Sequence, residues 1–163
     1  RSSDLILEQN AQMDPDLLEA ALAAGRARVA TDDGALPADY AESLAYVDEL
    51  HAANQLTPQV LIRFLRSKGR TAFLVALSRL SDVDFHTARN IVDRRDLDAL
   101  SIICKAADID RAIFLTYAVS LLGGDSNPMG RAAAYGRMYS ELTRDAAQRT
   151  LRFWRMRRVA QAA

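Results

Sequence analysis

The side chains with most chemistry to offer in this chain are its arginines, which outnumber lysine 19 to 2. Four of them, Arg144, Arg149, Arg152 and Arg155, share one broad face of a predicted C-terminal helix. A guanidinium presents a planar fork of N–H donors that matches carboxylate and phosphate oxygens. A ridge of four suits an acidic protein surface, a phosphate group or nucleic acid. These four are the candidate partner-binding residues. Ala146, Ala147, Leu151, Phe153 and Trp154 lie on the other side of the same helix. Arg157 and Arg158 fall towards that apolar side near the helix end, where a cation meets the negative end of the helix dipole. The plainer reading of the pattern is a closing helix, docked by Trp154 and Phe153, with a solvated basic outer face.

The other reactive residue types do not assemble a site. His51 and His86 fall in different predicted helices, with no His or Cys at ligand spacing, and His86 follows a cap and is expected to face solvent. Two histidines and one cysteine are fewer than the about four ligands of a structural zinc. Cys104 falls on an apolar helix face and reads as a buried, inert thiol. Asp84, Asp96 and Asp110 read as helix caps, because acid–base work needs two carboxyls held together in a cleft. Gly123-Gly124 reads as a loop, since neither the P-loop nor the dinucleotide-binding glycine pattern is present. Tyr135, Met138 and Tyr139 have helical spacing and read as core rather than as a recognition patch. No catalytic residue, cofactor or metal ligand is expected, and the chain reads as a non-enzyme.

Those residues are positioned by a repeated helical pattern. Val47-x-x-Leu50 followed by Leu56-Thr57 returns as Leu74-x-x-Leu77 with Val83-Asp84, and again as Leu100-x-x-Ile103 with Ile109-Asp110. Thr57 to Asp84 is 27 residues and Asp84 to Asp110 is 26. Each copy ends with an apolar residue and then Thr or Asp, the signature of a hydrophobic staple plus N-cap. The expected staples are Leu56 on Leu61, Val83 on Ala88 and Ile109 on Phe114. The side-chain oxygens of Thr57, Asp84 and Asp110 are expected to accept from first-turn N–H groups. A fixed period of this size points to stacked helical units, which usually present a surface to a partner.

The chain divides accordingly within one domain over 1–163, a length that suits a single core. Residues 1–13 are a polar lead-in, and 14–56 are acidic N-terminal helices, one from Asp14-Pro15 to about Thr31 and one from about Pro37 to Ala53. Residues 57–122 are the repeat core. Gly69 is expected at the left-handed position that ends the Thr57 helix. Gly123 to Pro128 is a breaker cluster, and 129–160 holds two C-terminal helices with the basic ridge. The fold expected is all-α, with eight or nine helices.

Formal net charge is zero, but residues 1–56 carry 3 basic and 11 acidic side chains against 18 and 10 in 57–163. Such polarity can steer a partner or favour head-to-tail association, and it allows a homodimer joining acidic and basic ends. No apolar run approaches the ~20 residues of a membrane span, and the polar, acidic N-terminus is unlike a secretory signal. A lone cysteine fits a reducing cytoplasm. The chain starts at Arg1 without methionine, as a piece trimmed from a longer protein would.

From Leu56 to Tyr117 the chain resembles a bacterial family of helical-repeat proteins, domain of unknown function 2336. The likeness rests on Leu56-Thr57-Pro58, on Leu61-Ile62-Arg63-Phe64-Leu65-Arg66, and on Phe73 to Leu80. Ala99-Leu100 with Lys105 to Ile109 looks like its second pair, and Leu151-Arg152-Phe153-Trp154 with Arg157-Arg158 like its closing segment. The resemblance implies a HEAT-like fold, a compact right-handed solenoid of short antiparallel helix pairs, and no reaction. The period is shorter than the about 40 residues of a HEAT unit, which implies a tight or irregular superhelix. The function expected is a protein–protein interaction module, a scaffold or adaptor in bacterial signalling or regulation. The alternative is nucleic-acid binding through the basic C-terminal part, which requires the basic side chains to form one continuous face.

Overall fold

The structure is a computed structural model that describes residues 36–67 and 69–162, with side chains as far as Arg157. Eight helices occupy these residues: α1 (Tyr40–Ala52), α2 (Pro58–Arg66), α3 (Arg70–Ser81), α4 (Phe85–Asp93), α5 (Leu97–Ala106), α6 (Arg111–Leu121), α7 (Pro128–Glu141) and α8 (Arg144–Ala162). Among the described residues there is no strand. The polar lead-in and the helix expected from Asp14 to Thr31 lie outside the described residues.

The packing centres on α5. Of its 10 residues only Asp98 and Lys105 are not buried. A helix that is apolar nearly all round must be covered on every side, and α3, α4, α6, α7 and α8 all pack against it. Helix α1 runs parallel to α3: Asp39 and Asp48 of the α1 segment pair with Thr71 and Arg79 of α3, in the same order along both. Helix α4 returns antiparallel, with its last residue, Asp93, paired to Arg70 at the start of α3. A one-dimensional stack confines contacts to adjacent units. Here α2 also meets α6, and α8 comes back to α5.

Aromatic side chains tie distant parts of the chain together. Phe73 and Tyr117 meet edge to face at 5.5 Å, and Phe114 stacks on Tyr139 at 4.3 Å. Both phenols are satisfied by backbone: Tyr117 donates to the Pro58 carbonyl at 2.5 Å, and Tyr139 donates to that of Ile109.

The three repeated cap positions start α2, α4 and α6 as expected, with extended or near-extended backbone at Thr57, Asp84 and Asp110. Their chemistry is different from that expected, because none accepts a cap hydrogen bond on its side chain. At Thr57 and Asp110 the residue's own carbonyl takes the N–H three positions on, from Val60 and Ile113, at 3.1 Å each. The turn is tightened, and one of the first-turn N–H groups that the side chain could accept is already taken. Asp84 instead accepts from the Thr87 hydroxyl. Side-chain caps do occur at Asp96, Asn127 and Thr143, which accept from Ala99, Gly130 and Ala146. The staple residues Leu56, Val83 and Ile109 all join the core.

Gly69 also corrects the expectation. Its φ is −81°, and it is the N-cap of α3 rather than a left-handed terminator. Its N–H still reaches back to the Phe64 carbonyl at 2.9 Å. The connection is so short that one residue closes α2 and opens α3. The left-handed positions are held elsewhere, by Asn54, Asp82, Arg95 and Asp108. After α1, α4 and α5 they form matched Schellman closures, in which the next residue's N–H (Gln55, Asp96 and Ile109) bonds five residues back.

Candidate partner-binding surface

Helix α8 docks along Ala147, Thr150, Leu151 and Trp154, at steps of three and four residues that place them on one face. The first three are buried, and Trp154 packs on the core with its indole N–H enclosed and without a hydrogen-bond acceptor. Phe153 is half-buried, with the Arg157 guanidinium 5.7 Å from its ring centre.

The four ridge arginines separate into two pairs. Arg144 donates through Nε to the carbonyl of Ala106, the last residue of α5, at 3.4 Å. Arg155 donates through Nε to the Asp82 carbonyl at 3.1 Å, and its terminal nitrogen lies 3.3 Å from the Asp82 carboxylate. Asp82 is the left-handed residue that ends α3. Two guanidinium groups on α8 therefore sit on the carbonyl ends of two other helices, where positive charge is favoured by the helix dipole. Arg149 and Arg152 do neither: they are exposed, and among the described residues they carry no hydrogen bond or ion pair. The broad ridge expected from the sequence is thus a narrow stripe, Arg149, Arg152 and Met156, with Met156 69% exposed.

The remaining candidates lie apart from it. Cys104 is fully buried, and burial pushes its thiol above the usual range. His51 is exposed on α1. His86 is half-buried rather than in solvent, with Nδ1 3.0 Å from Arg89 and its ring against Phe85. Among the described residues no group of three His, Cys, Asp or Glu is placed to hold a metal ion. Tyr139 is buried beneath the Lys105 ammonium, which stands 4.4 Å from its ring centre. Tyr135 and Met138 are half-buried. Burial and then the neighbouring Asp96 raise the Asp98 carboxyl, and burial and then Asp98 raise the Tyr135 phenol. Gly123 and Gly124 belong to the loop whose Asp125 is paired with Arg95 and Arg131.

One surface was not visible as a site in the sequence. Glu42, Tyr46 and Glu49 form an exposed stripe on α1, and Tyr46 is 47% exposed while its ring rests edge-on against Phe64. Their spacing of four and three was the available signal, hidden because an aromatic residue on a polar face reads as core. Helix α8 is the longest described helix, and no helix among the described residues is long and apolar enough to cross a membrane.

The model of a family described as an uncharacterised protein conserved in bacteria, domain of unknown function 2336, matches residues 2–152. No curated protein and no solved structure matches the chain.

Proposed function

The chain belongs to the bacterial family domain of unknown function 2336, and from that premise we propose that it is a non-enzymatic, cytoplasmic protein-interaction module, a scaffold or adaptor in bacterial signalling or regulation. One observation carries the reading. Arg149 and Arg152 stand exposed, and unpaired among the described residues, on a helix that Arg144 and Arg155 pin to the body of the protein. A pair of guanidinium groups on a fixed helix loses less entropy on binding than one on a mobile segment. A HEAT-like arrangement of antiparallel pairs belongs to the same reading. Its support is the parallel course of α1 and α3 and the antiparallel return of α4.

The partner chemistry that fits is an acidic protein surface. The nucleic-acid alternative needs a continuous basic face, and many basic side chains here are engaged locally. Arg70, Arg79, Arg95 and Arg131 are ion-paired, Arg111 donates to the Gly136 carbonyl, and Lys105 covers Tyr139.

The test is capture from a native bacterial lysate by the wild-type chain and by an R149A/R152A variant. The expected result is a protein retained by the wild type, lost by the variant, and released when salt is raised about tenfold, which cuts the screening length about threefold. Retention unchanged by both substitutions and salt overturns the reading. Arg155 is left intact because it holds α8 in place. A gel shift with random duplex at low salt decides the alternative: a shift at micromolar protein favours nucleic acid.

A further inference from the structure

We propose that the α8 stripe of one copy docks on the α1 stripe of a second copy, so that the chain associates with itself head to tail. Both helices have an outward face. Among the described helices α1 packs chiefly on α3, with ring contacts to α2 and α4, and α8 packs chiefly on α5. The outward stripe of α1 carries Glu42, Tyr46 and Glu49, and that of α8 carries Arg149, Arg152 and Met156. All six are exposed.

Three features match the stripes to each other. The first is charge. Asp48 of α1 is already paired within the molecule, with Arg79. Glu42 and Glu49 have no ion pair among the described residues, and neither have Arg149 and Arg152. The second is spacing. Read from Glu49 back to Glu42 the steps on α1 are three and four residues, and read forward from Arg149 to Met156 the steps on α8 are also three and four. Set antiparallel, with equal rise per residue on both helices, Arg149 comes level with Glu49, Arg152 with the Tyr46 ring, and Met156 with the stem of Glu42. The third is the exposed apolar member of each stripe. Tyr46 is held by its contact with Phe64, so its ring is a fixed platform for the Arg152 guanidinium. A contact between two single helices is smaller than a standard interface of about 800 Å² per partner. The association is therefore weak, concentration-dependent and sensitive to salt.

The inference takes from the preceding section only that α8 is a binding face. Purified protein contains no other partner, so the test below judges self-association alone and leaves the lysate capture to judge the rest. The full 163-residue chain is followed by light scattering across a concentration series at low salt. Three proteins are compared: the wild type, an R149E/R152E variant and an E42R/E49R variant, each checked for native helicity by circular dichroism. The expected mass rises with concentration for the wild type and stays at one chain for either variant. An equimolar mixture of the two variants regains the association, because each reversed stripe then meets its complement. The proposal is overturned if the wild type stays monomeric up to about millimolar concentration, if either variant associates as the wild type does, or if the folded variants do not recover it on mixing. An E42A/R152A variant, with one charge fewer on each stripe, is expected to associate less than the wild type and to be less affected by salt.

Discussion

The Arg155 guanidinium on α8 donates to the backbone carbonyl of Asp82, 73 residues earlier, where the left-handed residue ends α3. A basic side chain that looks like a binding residue is thereby a helix terminator supplied from a distance. Arg155→Ala leaves that carbonyl and the end of the α3 dipole to water. The side chain is 42% exposed, so solvent screening lowers the cost towards the dipole range, about 0.5–1 kcal/mol. Arg149→Ala removes nothing from the fold and is expected to stay within about 0.5 kcal/mol of the wild type. Urea midpoints of the two variants check the contrast, and equal midpoints refute the capping role.

This pair also marks how far the sequence could be read. The helices from α1 to α8 were legible because their apolar residues recur at three and four positions, and Thr57, Asp84 and Asp110 do start helices. Periodicity reports which side of a helix is buried, and that is a local property. It does not report which other helix end a long side chain reaches. Arg144 and Arg155 were therefore grouped with Arg149 and Arg152, although two of the four bind carbonyls 38 and 73 positions away. Cap residues failed in the same way at finer scale. Residue type places the N-cap, but whether its oxygen is used depends on whether backbone already takes the N–H, as it does at Val60 and Ile113. The closures at Asn54, Arg95 and Asp108 are not legible in the sequence because none is a glycine, the residue that ordinarily marks a left-handed position.

Side-chain capping separates aspartates that look alike in sequence. Asp96 accepts from the Ala99 N–H at 3.0 Å, whereas Asp110 starts α6 without such a bond. Asp96→Ala is expected to cost about 1 kcal/mol, the typical value of an N-cap. Asp110→Ala is expected to cost less than half of that. Thermal or urea unfolding of both variants measures the difference, and the opposite order would count against the assignment.

Asp108 gives a prediction of opposite sign. It is exposed, closes α5 with φ 60°, and is followed by buried Ile109, whose N–H bonds to the Cys104 carbonyl at 3.0 Å. A Cβ in the left-handed region costs about 1 kcal/mol relative to glycine. Asp108→Gly is therefore expected to raise stability by about 0.5–1 kcal/mol, the lower figure allowing for glycine's extra freedom in the unfolded chain. Asp108→Ala keeps the Cβ and loses the polar side chain, so it is expected to gain nothing. A raised midpoint for alanine as well as glycine would show that the charge, not the backbone, was the liability.

The buried Cys104 thiol and the Tyr117 and Tyr139 phenols govern how the protein meets alkali. Burial is the largest cause for all three, and it raises each above its ordinary value. The neutral form is the one the folded state favours. Below the ordinary values, 9.0 for the thiol and 10.0 for the phenols, both states hold these protons and pH has no effect through them. Above them the unfolded chain releases protons that the folded chain retains, so stability falls with rising pH. Each group adds a slope of about 1.4 kcal/mol per pH unit. The expected curve is flat up to about pH 8.5, bends downward first through Cys104, and steepens near pH 10 as the phenols join. Cys104→Ala should delay the first bend while lowering the plateau through a small lost volume. Tyr117→Phe should reduce the steep part while costing about 1 kcal/mol for the hydrogen bond to Pro58. Urea midpoints at intervals between about pH 7 and pH 11 give the three curves. If the wild type and Cys104→Ala bend at the same pH, the thiol is ionised as easily folded as unfolded, and its place in the core is wrong.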